Sequence, residues 1–250
     1  MQAYWTLTRR ELAAYFLSLT GYIIIAAATF LASLGFVVLM VNLGDDPSPM
    51  PVTELFFGTH FFWLILLLAT PVITMRLFAL EKFSGTFETL MTTPVSDLQV
   101  VMAKFTAALV FYMVMWLPML ACLGIVQRFA NQPGSLDGGV VGSMYLGTCL
   151  LGGAFLSAGC FASALTRSQM VAAMIAFLLG VSLFSLAFLT EHIPAPAQQW
   201  TQVLTYFALF QQMRDFARGV VDTRTVALYL SLTLLFLFLT LRAVESRRWR

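Results

Sequence analysis

The chain reads as an all-α integral membrane protein with six transmembrane helices. Three observations predict this. Hydrophobic residues make up 60% of the 250 residues and charged residues only 10%, against about 25% charged in a soluble domain. Apolar runs of about twenty residues, the length a helix needs to cross a bilayer, recur along the whole chain. All 12 acidic residues and all 14 arginines and lysines fall between those runs. The net charge of +2 is too small to suggest a nucleic-acid partner. The lipid bilayer is the partner that composition implies.

Met1–Thr20 predicts an amphipathic interfacial helix. At about 100° per residue Tyr4, Trp5, Leu12, Tyr15, Phe16 and Leu19 share one arc, interrupted by Thr8. Gln2, Thr6, Arg9, Arg10 and Thr20 fall elsewhere, the pattern of a basic, aromatic helix lying in the membrane surface. The apolar run that follows is too long for a cleaved signal and suits a full span. The spans expected are Gly21–Val41, Phe56–Met75, Thr106–Ile125, Ser143–Leu165, Met170–Leu189 and Thr225–Leu241. The last is short unless its helix begins near Asp222. Linkers rich in Gly, Pro and Asp separate them, none long enough for a soluble domain, so residues 1–250 form a single membrane domain without an evident repeat. Within the outer segment 190–224, Trp200, Val203, Leu204, Phe207 and Phe210 recur at helical spacing, which predicts an interfacial or re-entrant helix before the last span. Ten of the 14 basic residues lie on the side of the N-terminus, and cytoplasmic loops are the ones enriched in arginine and lysine. Both termini are therefore expected in the cytoplasm.

The spans carry almost no chemistry. Of Asp, Glu, His, Lys and Arg the spans offer only His60, so a proton or sodium gradient has no evident receptor. A phosphate-binding loop of the form Gly-x-x-x-x-Gly-Lys-Ser/Thr is absent, since the only lysines, Lys82 and Lys104, precede Phe83 and Phe105. Cys122, Cys149 and Cys160 sit in apolar runs and read as small hydrophobes. No catalytic, metal or cofactor site is expected in this chain. Rows of small residues (Ser143, Gly147, Ala154, Ala158 and Ala162, then Ala172, Ala176 and Gly180) allow close helix approach, more often inside a subunit than between subunits. Pro71 and Pro118 are expected to kink their spans.

Residues 76–105 are the longest polar interval on the N-terminal side. The second span is expected to continue to about Phe83 and to turn at Ser84–Gly85, where glycine permits a sharp bend. Thr86 then caps a short helix to about Met91, with Phe87, Leu90 and Met91 on one face and Glu88 on another. Pro94 stops it, because the residue before a proline is pushed out of the helical region. Ser96 and Gln99 form a capping box, stapled by Val95 and Val100, so the third helix begins near Asp97 and runs through Lys104 into the membrane. The spacing fits a knob for a soluble partner; a solvated loop with incidental capping fits the same residues.

Leu80–Lys104, LEKFSGTFETLMTTPVSDLQVVMAK, resembles the cytoplasmic signature of ABC type-2 transporter permeases. Glu11–Tyr22, Pro71–Ala79, Ser163–Ala172 and Phe216–Thr240 are similar to the gliding-motility-associated group of that family. The resemblance implies a permease that dimerises, as a homo- or heterodimer, and binds ABC ATPase subunits carrying the ATP and Mg. It implies an elbow helix over residues 1–20 and a coupling helix within 76–105. The implied ATPase-coupling residues are Glu81, Lys82, Gly85, Thr86, Phe87, Glu88, Thr89, Leu90, Met91, Pro94, Val95, Ser96 and Lys104. Phe177, Phe184 and Phe188 are a possible translocation path by the same likeness, with packed or lipid-facing phenylalanine the alternative. An auxiliary membrane protein with a large periplasmic part, and the bacterial inner membrane as location, are implied as well. A non-transporting scaffold that anchors a soluble partner, a passive channel and an intramembrane enzyme are the competing readings.

Overall fold

The computed structural model describes residues 2–45, 52–85, 95–129, 137–192 and 208–246. Among them every regular element is helical: α1 Gln2–Phe16, α2 Leu19–Asp45, α3 Val52–Gly58, α4 His60–Thr74, α5 Ala79–Ser84, α6 Asp97–Phe129, α7 Gly138–Leu165, α8 Gln169–His192, α9 Leu209–Ala217 and α10 Thr223–Glu245. Six stretches are long and apolar enough to cross a membrane: Leu19–Val41, His60–Ser84, Asp97–Ile125, Gly138–Leu165, Gln169–Phe188 and Thr223–Glu245. Asp222 caps α10, its carboxylate accepting from the Arg224 amide at 2.9 Å, which supplies the residues that the sixth span lacked.

Helix α7 is the axis of the bundle. Within its most apolar window 78% of the residues are buried inside the chain, against 22% for α8 and for α10. Its glycines explain the difference. A Cβ on Gly147 would lie 2.6 Å from the Phe216 ring, one on Gly152 2.2 Å from Tyr112, and one on Gly159 2.2 Å from the Thr74 hydroxyl. Three neighbours, from α9, α6 and α4, thus press directly onto the α7 backbone. In a membrane, where lipid is as apolar as leucine, such close approach supplies the packing that holds helices together. Ala154, Ala158 and Ala162 of α7 and Ala172 and Ala176 of α8 are buried too, so both small-residue rows are spent inside the subunit.

Hydroxyls inside the bundle turn back on their own helices. Thr70, Thr148, Thr233 and Thr240 each donate to the carbonyl four residues earlier, at 2.7–2.9 Å. This leaves no polar group facing hydrocarbon at those positions.

The second span differs from expectation at both ends. Phe56–Gly58 belongs to α3, and the chain breaks at Thr59, whose hydroxyl and amide both donate to the Phe56 carbonyl. His60 opens α4 as an exposed residue. At the other end the helix is not continuous to Phe83. It stops at Thr74, passes through turns at 75–78, and resumes as α5. By contrast α6 runs unbroken through Pro118.

The apolar arc of the N-terminal helix is also corrected. Helix α1 ends at Phe16, and Leu19 starts α2 with 77% of its surface exposed. Trp5 points outward at 69% exposed, whereas Thr8 is buried at 5%. The inward face is Tyr4, Thr8, Glu11 and Tyr15, because Tyr4 and Glu11 have polar partners on α6 and Thr8 returns its hydroxyl to the Tyr4 carbonyl at 2.9 Å.

At the end of the bundle away from the N-terminus, α9 packs on α3 and α7. The Thr53 hydroxyl donates to the Ala217 carbonyl at 2.9 Å, the Ser143 hydroxyl to that of Phe216 at 2.6 Å, and Arg218 pairs with the buried Glu54. Gly219 leaves the helix at φ 91, a left-handed conformation that suits glycine. Of the residues expected in the outer helix, Trp200, Val203, Leu204 and Phe207 lie outside the described residues. Phe210 lies in α9, its ring tilted against Trp63 with centroids 4.4 Å apart.

Candidate functional site

On the N-terminal face of the bundle, α1, the break between α4 and α5, and the start of α6 meet. A helix that stops inside a membrane protein leaves amides and carbonyls without partners, each expensive in hydrocarbon. Here side chains from other elements take them up. The Tyr15 hydroxyl of α1 donates to the Ile73 carbonyl at 2.8 Å. The Ser163 hydroxyl of α7 accepts from the amides of Phe78 and Ala79 at 3.0 and 3.1 Å and donates to the Met75 carbonyl at 3.2 Å. Lys82 of α5 reaches the Ala164 carbonyl at the end of α7, where a cation also opposes the negative pole of that helix. One serine and one tyrosine thus convert a broken span into an ordered corner.

Beside this corner lies a compact charge cluster. The Lys104 ammonium, with 3% of its side chain exposed, donates to Oε1 of Glu11 at 3.0 Å and to Oε1 of Glu81 at 2.8 Å. Arg10 donates to the same two oxygens at 2.9 and 3.1 Å. The Phe78 ring lies 5.5 Å from the lysine nitrogen. Burial pushes the Glu11 carboxyl up, but the charge of Lys104 and the hydrogen bonds from Arg10 and Lys104 outweigh it and hold the group below its ordinary value. The Glu11 hydrogen bond in turn holds Arg10 above its ordinary value. The cluster joins α1, α5 and α6 electrostatically, and Tyr4 adds a hydrogen bond to Thr106 of α6 at 3.0 Å.

Both flanks of segment 86–94 are built from these elements. Gly85 closes α5 at φ 76, with no atom within 4 Å of the place a Cβ would occupy, so its conformation rather than crowding calls for glycine. On the far flank Ser96 and Gln99 form reciprocal bonds, amide to side chain in both directions, each at 3.4 Å. Helix α6 begins at Asp97, with Val95 and Val100 packed into the common apolar core. Thr86, Phe87, Glu88, Thr89, Leu90, Met91 and Pro94 lie outside the described residues. Glu81, Lys82 and Lys104 are engaged within the chain.

Of the three phenylalanines read as a path, Phe184 is packed between Trp63 at 5.7 Å and Phe210 at 5.2 Å. Phe177 and Phe188 are exposed on α8. The three share one face of α8, on which Phe184 is partly buried. Sequence reasoning missed Arg10, Glu11, Tyr15 and Ser163 as parts of the corner. Glu11 had a visible signal, a carboxylate in helical register with Tyr4, Thr8 and Tyr15. Ser163, one serine in an apolar run, had none.

The chain matches the family described as ABC-2 family transporter protein over residues 47–244, about four-fifths of its length. It belongs to the ABC-2 transporter family. No curated protein matches it. The match runs through the α4–α5 corner, the start of α6 and the whole of α7 to α9, and leaves out α1 and α2. As an ABC-2 family protein the chain is a multi-pass membrane component of a transporter, and the family implies an ATP-binding-cassette ATPase as its partner. Families of this kind supply the membrane part of the transporter rather than its catalytic one. In the ABC-2 chain Glu11 and Arg10, outside the matched region, hold Glu81 and Lys104, inside it.

Proposed function

We propose that the chain is the permease subunit of an ATP-binding-cassette exporter in a bacterial inner membrane, with both termini in the cytoplasm. Two copies, identical or paired with a relative, would form the path, and ATP and Mg would reside on separate ATPase subunits. The observation that carries this reading is the family match across four-fifths of the chain. Helix α1 then serves as the elbow helix, α9 as the outer helix before the last span, and segment 86–94 as the coupling helix. ATP binding draws that segment inward. Its two flanks, tied to α7 through Ser163 and Lys82 and to α1 through Lys104, carry the displacement into the bundle. The likeness to gliding-motility-associated permeases extends the proposal to force transmission as an alternative to cargo export, with an auxiliary periplasmic protein as a further partner.

The test is affinity purification of the tagged chain from its native membrane, followed by identification of co-purifying ATPases. The expected result is recovery of an ABC ATPase with wild type and its loss with Glu88→Lys, while the variant still inserts and elutes as a folded membrane protein. Recovery of no such ATPase, or its undiminished recovery with Glu88→Lys, rejects the coupling assignment.

A further inference from the structure

The break between α4 and α5 is a helix with one hydroxyl inserted into it. In an unbroken helix the amides of Phe78 and Ala79 donate to the carbonyls of Thr74 and Met75, four residues earlier. Here both donate to the Ser163 hydroxyl, at 3.0 and 3.1 Å, and that hydroxyl donates to the Met75 carbonyl at 3.2 Å. Ser163 therefore stands between the two ends of a single helical hydrogen bond, from Ala79 to Met75. The Thr74 carbonyl, left by Phe78, takes the Leu77 amide at 3.1 Å.

The backbone itself favours the unbroken form. Met75 and Phe78, at the two ends of the break, both lie in the right-handed helical region, at φ −53 ψ −31 and φ −118 ψ −35. No glycine or proline falls between Met75 and Ser84, and Met, Arg and Leu are good helix formers. Each amide carries one proton, so Phe78 and Ala79 bond either to Ser163 or to their own helix, and the two arrangements exclude each other. Tyr15 can stay in both, because the Ile73 carbonyl has a second acceptor site for the Leu77 amide. The other bond from α5 to α7 is that of Lys82 to the Ala164 carbonyl, beside Ser163. The pairs of Glu81 with Arg10 and Lys104 run between long side chains that can follow a turn of α5.

We propose that the α4–α5 break is one position of a two-state switch whose other position is an unbroken helix from His60 to Ser84. Withdrawal of the end of α7, carrying Ser163 and the Ala164 carbonyl away, closes the helix by handing the amides of Phe78 and Ala79 back to Thr74 and Met75. Closure redirects α5 and, with it, Gly85, the flank of segment 86–94. The switch is a property of these contacts and does not depend on what that segment meets.

The test is the distance between nitroxide spin labels at Leu64→Cys and Phe83→Cys, both exposed positions, in the full-length chain in lipid nanodiscs. Cys122, Cys149 and Cys160 are first replaced by alanine. An unbroken helix from Leu64 to Phe83 sets their Cα atoms about 28 Å apart along its axis, and a bend shortens this. The otherwise unaltered chain is expected to give the shorter distance. Ser163→Ala alone leaves Lys82 holding α5, so the distance stays short while the amides of Phe78 and Ala79 lose protection from hydrogen exchange. Ser163→Ala combined with Lys82→Met frees α5 from α7. A second population should then appear at about 28 Å, and Phe78 and Ala79 should regain protection. Ser163→Gly with Lys82→Gln serves if that double variant does not fold. The short distance retained in the double variant overturns the switch. So does a broad distribution that lacks the long component, with both amides still unprotected.

Discussion

Lys104 shows how a buried charge is kept in a protein with few charges to spare. Taking an ammonium and two carboxylates out of water costs several kcal/mol per ion, about as much as their attraction returns. The cluster is therefore better understood as a device that fixes which elements meet than as a source of net stability. Its titration follows from the depressed pKa of Glu11. A carboxyl whose folded pKa lies below its unfolded one contributes stability in full above the unfolded value and loses it as the pH falls through the folded one. The attachment of α1 should accordingly weaken on the acid side of the ordinary glutamate value of 4.5. Arg10, Lys104 and Glu81 face the same group, so the comparison of wild type with Glu11→Gln isolates its share. Melting temperatures measured from neutral to acid pH should fall more steeply for wild type than for the variant below that value. Parallel curves would show that Glu11 is not held down in the folded protein.

The corner between α4 and α5 belongs to the scale of elements. Neither Met75 nor the Arg-Leu-Phe that follows breaks helices by propensity. The break exists because Tyr15 and Ser163 offer its backbone groups partners from outside. Ser163→Ala removes the acceptor for two buried amides, and an unsatisfied buried group costs about 1–3 kcal/mol. The expected outcome is a lowered Tm and faster amide hydrogen exchange over residues 78–84, with α9 and α10 unaffected. Unchanged exchange in that stretch would mean that the corner is held by packing alone. At the opposite end of the bundle Thr53, Ser143 and the Glu54–Arg218 pair hold α9 in the same manner, side chain to helix end.

At the scale of the whole molecule, α7 is enclosed and α2, α8 and α10 face outward, with the glycines of α7 taking up three neighbours. Any path formed between two copies is then bordered by outward helices and not by α7. The proposed cytoplasmic placement of both chain ends rests on six membrane-length helices among the described residues and on the count of basic residues. Epitope tags at both ends should resist protease added to intact spheroplasts and be cleaved after permeabilisation. Cleavage of either tag in intact spheroplasts would overturn the orientation.

Composition and run length alone determined the fold class and the membrane setting, because a bilayer admits few solutions for apolar stretches of that length. Local turn chemistry was equally legible: Gly85 in its left-handed bend and Ser96 with Gln99 depend only on residues a few positions apart. Spacing along α1 failed at Thr8 and Glu11, because Glu11 is held by Lys104 of α6 and Thr8 returns its hydroxyl to the Tyr4 carbonyl of its own helix. The interrupted second span, the role of Ser163 and the meeting of Glu11, Glu81 and Lys104 were likewise settled only by tertiary structure. Each depends on groups from 23 to 93 residues apart whose hydrogen bonds leave no mark on local periodicity.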